Sequence, residues 1–119
     1  MDSDSSPIFH QLAAQIMQDI VTGTYPEETA VPSTNEYAAF YRINPATAGK
    51  GVNLLVEQGV LYKKRGVGMF VATGARELLR TRRRAEFSEQ YIAPLMREAQ
   101  MLGISTSELA QMINKEDNS

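Results

Sequence analysis

Two helix-initiation signals that lie close together in the first half of the chain constrain its fold most strongly. Ser33-Thr34-Asn35-Glu36 is typical of a capping box, in which the serine oxygen accepts from the N–H three residues on and the glutamate accepts from the serine N–H. Asn44-Pro45 is typical of an N-cap followed by a proline in the first helical turn. A short helix through Phe40, a turn of about three residues and a second helix together predict a helix-turn-helix.

An amphipathic helix is predicted before this pair of helices. It carries one apolar stripe that recurs every fourth residue and ends at Gly23, formed by Ile8, Leu12, Ile16 and Ile20. The helix that begins at Asn44 is expected to run to about Gln58, because Gly59 is typical of the position just past a helix end. The residues that this helix is expected to bury are Ala48, Val52, Leu55 and Val56.

A β-hairpin is predicted directly after that helix. Val60–Tyr62 and Met69–Val71 are expected to form short strands, and Gly66–Gly68 a tight turn that needs unusual backbone angles. A two-stranded hairpin is only marginally stable alone, so it must pack on the helices. A hairpin in this place is typical of the wing of a winged helix.

The C-terminal third is predicted to form helices with more apolar surface than they can bury alone. We expect a long helix to about Leu102 that is kinked or broken at Pro94, and a last helix opened by a second capping box, Ser105–Glu108. Helices of about 40 residues in total cannot enclose a core, so their apolar faces must be covered either by the winged helix or by a second copy of the chain. A symmetric homodimer is the commonest solution, and we expect it here. The residues predicted to hold it together are Phe87, Tyr91, Leu95, Met96 and Leu102.

Composition argues against several classes of function. The chain has no cysteine and a single histidine, His10, with no carboxylate cluster near it in sequence, so we expect no metal site and no cofactor. No nucleophile–base pair or carboxylate pair is recognisable, so we do not expect an enzyme. No apolar run approaches the roughly 18 residues of a membrane span. Because Met1–Ser6 is acidic and serine-rich, unlike a signal peptide, we expect a cytoplasmic protein without a membrane partner.

The charge is unevenly distributed along the chain. The formal net charge is −2, which is unusual for a nucleic-acid-binding domain. However, the stretch from Arg42 to Arg65 holds five cations against one acid, and so does the stretch from Arg76 to Arg84. Such clusters suit a surface that faces phosphates. The alternative is that they lie on solvated helix faces.

Five segments between residues 7 and 72 carry a family resemblance: Pro7–Gln11, Val31–Ser33, Ile43–Thr47, Leu55–Gly59 and Arg65–Val71. In order and spacing they resemble the GntR family of bacterial regulators. The short tail, including Pro94–Ala99 and Leu102–Ser105, is similar to the YtrA-type branch of that family. The resemblance implies a DNA-binding winged helix followed by a few dimerising helices, and members of the branch often repress transporter operons.

The chain departs from the family pattern at several positions of the presumed DNA surface. Many members have arginine where this chain has Asn35, Pro45 and Gly49. The recognition helix is also expected to present a small surface, because three of its residues have little or no side chain: Ala46, Gly49 and Gly51. Readout of bases is therefore expected to depend more on Asn44, Thr47, Lys50 and the wing.

The resemblance and the helix positions together nominate the residues that contact DNA. They are Ser33, Thr34, Asn35, Asn44, Ala46, Thr47, Lys50, Lys63, Lys64, Arg65 and Gly66. Each also has a plainer interpretation: Ser33 and Asn44 as helix caps, and the lysines as solvated side chains. Other residues are expected to be structural: Phe40, Tyr62 and Phe70 in the core, and Arg82–Arg84 on a solvated helix face or in salt bridges at a dimer interface.

The sequence thus predicts a mainly α protein with a small β-hairpin. A winged helix-turn-helix is expected over residues 7–72, a helical dimerisation segment over 75–114, and disordered tails at 1–6 and 115–119. The function expected is that of a transcription regulator, acting as a repressor, that binds a palindromic operator in double-stranded DNA as a homodimer and can respond to a small-molecule effector. The alternative is a winged-helix protein-interaction module without DNA binding, which the small recognition surface and the acidic pI of 5.4 would suit.

Overall fold

Three helices and a hairpin form the first part of the chain. The computed structural model describes residues 7–118. Its first elements are α1 (Ile8–Val21), α2 (Thr34–Tyr41), α3 (Pro45–Glu57), β1 (Leu61–Lys64) and β2 (Gly68–Val71). The two strands pair antiparallel, with Leu61 opposite Val71 and Lys64 opposite Gly68. The predicted fold class, mainly helical with a small hairpin, is confirmed.

Helices form the rest of the described chain. They are α4 (Ala75–Phe87), a π-helical turn (Ser88–Ile92), α5 (Ala93–Met101) and α6 (Thr106–Asp117). The chain divides into two compact units between Arg80 and Thr81. None of the helices within residues 7–118 is long and apolar enough to cross a membrane.

Both predicted helix caps of the helix-turn-helix are present. The Ser33 oxygen accepts from the Glu36 N–H at 3.1 Å, while the Glu36 carboxylate accepts from the Ser33 N–H at 2.7 Å, which completes the capping box. Asn44 Oδ1 accepts from the Ala46 N–H at 2.7 Å. Between the two helices Arg42 adopts a left-handed conformation with φ 57°. This conformation is costly for a residue other than glycine, but it turns the chain sharply from α2 into α3.

The core of the first unit is formed mainly by the predicted apolar stripes. From α1 it takes Leu12, Ala13, Ile16 and Ile20, and from α3 it takes Ala48, Val52 and Leu55. Val56 is only partly buried against this core. The expectation that Phe40 is a core residue is wrong, because α2 buries Tyr37 and Ala38 and leaves Phe40 80% exposed. Tyr62 and Phe70 are only half-buried and are not part of the core cluster, so the expectation that they are core residues is wrong as well.

Gly51 marks the closest approach of α1 and α3. A Cβ built on it would lie 2.8 Å from the Phe9 carbonyl oxygen, nearer than two such atoms can approach. The expectation that Gly51 reduces the recognition surface is therefore wrong, because Gly51 is buried against α1. Gly49 is different: its Cβ would make an ordinary contact with Thr34 Cγ2 at 3.6 Å.

The hairpin is held to the helices by the loop that precedes α2. Val31 N–H donates to the Met69 carbonyl, Val71 N–H donates to the Thr29 carbonyl, and Glu28 N–H donates to the Val71 carbonyl, at 2.8 to 3.0 Å. This loop therefore pairs with the free edge of β2 through an isolated antiparallel bridge between Ala30 and Phe70. The added bonds, together with the burial of Leu61 and Val71, stabilise a hairpin that would be marginal alone.

Pro94 neither breaks the C-terminal helix nor leaves it regular. The π-helical turn directly precedes it, and the Ala93 N–H bonds to the Ser88 carbonyl five residues back. A proline lacks the N–H of the regular ladder and its ring crowds the preceding turn. A wide π turn relieves this crowding, so the chain stays helical into α5.

The second unit buries little of its own surface. Among described residues 81–118 only Ala99 and Leu109 are buried. Ser105 caps α6 by accepting from the Glu108 N–H at 3.1 Å. Helix α6 continues to Asp117, so the expected disorder from residue 115 is wrong for the helical residues 115–117. The predicted tail at 1–6, like Ser119, lies outside the described residues.

The two glycines of α3 offer a matched test of this packing. We expect Gly49→Ala to raise the free energy of unfolding by up to about 1 kcal/mol, because alanine is the better helix former and its methyl group has room. Gly51→Ala should lower it, because overpacking against backbone costs about 1–3 kcal/mol and outweighs the same helical gain. Urea unfolding of both variants measures the difference. Equal stability of the two would contradict the close approach.

Candidate nucleic-acid interface

The outward face of α3 carries a row of small and polar side chains. Ala46, Thr47, Gly49, Lys50 and Asn53 line an open groove on this face. The opposite face is fixed in the core by Ala48, Val52 and Leu55, so the row cannot turn inward. Because the row begins two residues after the Asn44 cap, most of it lies in the N-terminal half of α3, the half that recognition helices insert into the major groove.

Lys50 is held in position by an aromatic ring. Its ammonium nitrogen lies 4.8 Å from the centroid of the Phe9 ring, a cation–π distance. Phe9 belongs to α1, so this contact ties the exposed end of Lys50 to the neighbouring helix. A lysine held in this way loses less conformational entropy when it meets a base edge or a phosphate.

The N-terminus of α2 places three candidate residues together. Ser33 is occupied by the capping box, Thr34 is half-buried, and Asn35 is exposed. Thr34 Cγ2 lies 3.6 Å from the Cβ position of Gly49, so this end of α2 lies against α3. Helix N-termini favour anions through their unpaired N–H groups and their dipole. The plainer interpretation of Ser33 and Asn44 as caps is confirmed, and it is compatible with a phosphate contact.

The wing presents its cations to solvent. Lys63, Lys64, Arg65 and Gly66 are all exposed, and the Lys64 ammonium lies 4.3 Å from the centroid of the Phe70 ring. Gly66 and Gly68 have positive φ values of 74° and 143°, as the tight turn requires. Val67 between them is 67% exposed at the tip.

A carboxylate fixes the base of the wing. Glu28 accepts hydrogen bonds from the Tyr62 hydroxyl, at 2.5 Å, and from the Thr73 hydroxyl. These bonds, first that of Thr73 and then that of Tyr62, hold the pKa of Glu28 below its ordinary value of 4.5. The same contact raises the pKa of Tyr62. Glu28 thus joins the loop before α2 to both ends of the hairpin.

Three features of this surface were missed by the sequence reasoning. Asn53 follows Lys50 by three residues, so helical spacing alone could have placed it on the same face. The exposed tip residue Val67 could have been inferred from its flanking glycines. The Glu28 cluster joins residues 34 and 45 positions apart, and no local pattern indicates such contacts.

The residues predicted to hold a dimer lie in the second unit and are largely exposed. Phe87 is 53% exposed, Tyr91 60%, Leu95 38% and Leu102 63%, while Met96 is half-buried. The Phe87 and Tyr91 rings lie 5.5 Å apart, so they form one patch. Arg82–Arg84 are also exposed, as expected for a charged helix face.

Comparison with protein families decides the class of this chain. The sequence model described as "Bacterial regulatory proteins, gntR family" matches residues 9–71, which span α1 to the last residue of β2. The chain belongs to the GntR family. This family consists of transcriptional regulators, so the expectation of a regulator is confirmed at that level.

Two curated relatives of this GntR protein come from Bacillus subtilis (strain 168). The chain is 33% identical over 90 residues to the uncharacterized HTH-type transcriptional regulator YurK, matching 74% of this chain but only 37% of YurK. It is 25% identical over 111 residues to the HTH-type transcriptional repressor YtrA, matching 93% of this chain and 85% of YtrA. The chain thus spans about a third of the former relative and most of the latter, and the resemblance to the YtrA branch is confirmed.

Solved structures of GntR relatives agree with this fold. A GntR-family transcriptional regulator from Bacteroides thetaiotaomicron superimposes with a TM-score of 0.75 at 36% identity, over 93% of this chain and 96% of the other. The DNA-binding domain of AraR, solved in complex with operator ORR3, superimposes with a TM-score of 0.52 at 31% identity, over 54% of this chain and 77% of the other. The winged-helix part of this GntR protein is therefore similar to a domain that has been solved on DNA.

The Glu28 cluster predicts a stability effect that depends on pH. Because folding lowers the pKa of Glu28, its stabilisation is fully present above the unfolded-state value and is lost as pH falls through the folded value. Glu28→Gln should therefore be less stable than the wild type at pH 7, and the gap should narrow at an acidic pH well below the ordinary glutamate pKa of 4.5. Urea unfolding at both pH values measures the gap. A gap that stays constant, or a Tyr62→Phe/Thr73→Val variant with unchanged pH dependence, would contradict this role.

Proposed function

We propose that this GntR protein is a transcriptional repressor that binds a palindromic operator as a homodimer. The observation that carries the proposal is the outward face of α3, where Thr47, Lys50 and Asn53 project beyond the Asn44 cap. The rest of α3 is fixed by the core, so this face is presented rigidly. Rigid presentation is what base readout by a recognition helix requires.

The side chains on this face match the chemistry of base edges. A lysine can donate to the O6 and N7 acceptors of guanine, and an asparagine can make two hydrogen bonds to adenine in the major groove. Thr47 and Ala46 can contact thymine methyl groups. In this proposal Lys50 and Asn53 supply the polar readout, while the small residues let the helix approach the bases closely.

The wing and the N-terminus of α2 supply the sequence-independent attraction. Lys63, Lys64 and Arg65 are exposed cations on one hairpin, and contacts of this kind release counterions from DNA. Val67 at the tip is apolar and exposed, which suits contact with the sugar walls of a groove. Asn35 at the start of α2 then contacts a phosphate beside the helix N-terminus.

The second unit supplies the dimer in this proposal. Its exposed apolar side chains include Phe87, Tyr91 and Leu102, and a patch of this kind is unusual on a monomer. Burying each such side chain contributes roughly 1.5–3 kcal/mol, so several in a symmetric interface can offset the entropy cost of association. Two winged helices then meet two half-sites about one helical turn apart, or a multiple of that distance.

Repression is the mode of action that we propose. It is supported by the relative that the chain matches nearly end to end, which is named a transcriptional repressor. A bound dimer can repress simply by occluding a promoter. Control of a transporter operon, which the resemblance to the YtrA branch implies, is part of the proposal.

Two lysines of the first unit offer a matched test of the DNA surface. On an operator fragment selected from a random pool, Lys50→Ala should reduce the preference over random DNA by about 1–3 kcal/mol, because it removes a base contact. Lys64→Ala should weaken binding to operator and random DNA alike, because it removes a phosphate contact. The slope of the logarithm of the binding constant against the logarithm of the salt concentration should become smaller by about 0.9. Fluorescence anisotropy titrations at several salt concentrations measure both quantities.

Each lysine variant is the charge-matched control of the other, and Lys115→Ala in α6 controls for a change of net charge elsewhere. If Lys50→Ala loses the same affinity for the operator as for random DNA, Lys50 contacts a phosphate and not a base. No retarded band with any genomic fragment at low salt would contradict DNA binding and favour a winged-helix protein-interaction module.

The dimer is tested by placing charges on the exposed apolar patch. Tyr91→Glu and Leu102→Glu should leave the free energy of unfolding of the monomer nearly unchanged, because these side chains are 60% and 63% exposed. Each should raise the dimer dissociation constant by a factor of at least about 10. Affinity for a palindromic site should then fall about 100-fold, because the second winged helix is no longer held at a high effective concentration near its half-site.

Sedimentation velocity reports the mass, and Gln100→Glu is the matched control because it adds the same charge at an exposed polar position of α5. A wild-type protein that sediments as a monomer at micromolar concentration but binds its operator tightly would overturn the dimer.

The dimer can also be tested by removing the second unit. The chain should then be cut after Arg80, because Leu79 is part of the winged-helix core.

A further inference from the structure

A cavity lies between α1, α2 and the loop that joins them, away from the outward face of α3. Its volume is about 600 Å³, within the range of small-molecule sites. Four aromatic residues line it, Tyr25, Tyr37, Phe40 and Tyr41, together with the carboxylates of Asp19 and Glu36. All of these residues belong to the first unit.

The aromatic walls are fixed by contacts with one another. The Tyr37 hydroxyl donates to the Tyr25 hydroxyl at 3.2 Å, and its ring is buried in the core. The Tyr37 and Tyr41 ring centroids lie 6.3 Å apart, and the Phe40 ring meets Tyr41 edge-on at 5.1 Å. Phe40 has no role in the core, since it is 80% exposed at the cavity. The fold thus holds several aromatic rings around one open space.

The electrostatic character of the cavity is negative. Asp19 is held by the Gln15 amide at 3.1 Å, and Glu36 by the Ser33 N–H at 2.7 Å. Among the described residues that line the cavity there is no lysine, arginine or histidine. Burial chiefly, then the Tyr25 hydroxyl and last Asp19, raises the pKa of Tyr37, whereas burial followed by Asp19 raises the pKa of Tyr41. The field of Asp19 therefore reaches the aromatic walls.

We propose that this cavity binds a small organic cation, such as a quaternary or alkylated ammonium ion. The faces of aromatic rings attract cations, and several rings around one ammonium group form the arrangement that recognises methylated ammonium ligands. The two carboxylates supply the counter-charge, and the apolar ring surfaces replace the water around the alkyl groups. An anion would meet two carboxylates here and no cation.

The position of the cavity links such a ligand to the DNA surface. Glu36 lines the cavity and also closes the capping box with Ser33, at the end of α2 where Ser33, Thr34 and Asn35 lie. A cation that attracts the Glu36 carboxylate competes with the Ser33 N–H for it, and so acts on the end of α2 that is proposed to meet DNA. This regulatory consequence rests on the proposed function, but the binding itself does not.

The test compares a cation with its neutral isostere on the full chain without DNA. Choline carries a trimethylammonium group, and 3,3-dimethylbutan-1-ol has the same shape without the charge. We expect choline to shift the NMR resonances of Tyr25, Phe40 and Tyr41, and to bind at least tenfold more tightly than the alcohol. Equal affinity for the two would overturn the proposal, and so would no binding of choline at millimolar concentrations.

Two substitutions connect that binding to this cavity. Phe40→Ala removes an exposed wall and Asp19→Asn removes a charge while keeping an oxygen that accepts from Gln15, so both should fold and bind choline at least fivefold more weakly. Glu116→Gln in α6 is the matched control and should bind it normally. Unchanged binding in both cavity variants would overturn the site. A Phe40→Ala variant that changes the sedimenting mass, with no choline binding to the wild type, would instead assign the cavity to a second copy of the chain.

The DNA measurement separates the two proposals. If choline binds and lowers or raises the affinity for the selected operator, both the ligand site and its link to α2 are supported. Choline binding with an unchanged operator affinity would keep the site and overturn the link. A failure of DNA binding altogether would overturn the proposed function while the isostere comparison still decides the ligand site.

Discussion

The contact between α1 and α3 is the constraint on which the rest of the first unit depends. Gly51 lets the backbone of α1 approach α3 so closely that a methyl group there would meet the Phe9 carbonyl. With that distance fixed, the apolar stripes of the two helices interlock, and Phe9 comes within cation–π reach of Lys50. The same contact thus sets the core, the orientation of α3 and the position of one side chain proposed to read DNA.

A second set of interactions serves the hairpin, which has too few residues to be stable alone. The loop before α2 supplies backbone hydrogen bonds to β2, and the Glu28 carboxylate joins that loop to Tyr62 and Thr73. The tip of the wing, with Arg65 and Val67, stays exposed. The wing therefore combines a rigid base with an accessible end, which suits the proposed contact with the DNA backbone.

Local chemistry explains why much of this could be predicted and some could not. The Ser33 and Asn44 caps depend on neighbours within three residues, so the sequence alone indicates them. Phe40 was misplaced because two turns of helix do not show which apolar residues face inward. Gly51 was misread because its role depends on α1, about forty positions earlier in the chain. The shape of the interface thus follows from local signals, while its fine positioning follows from distant contacts.

The π-helical turn ahead of Pro94 has a geometric consequence for the second unit. An α-helix advances about 100° per residue, and a turn closed over five residues rotates less for the same length of chain. The delay shifts the side chains of α5, Leu95 among them, about the helix axis relative to those of α4. One wide turn therefore re-phases the helix, so the period of 3.6 residues that describes α4 cannot be carried unchanged into α5.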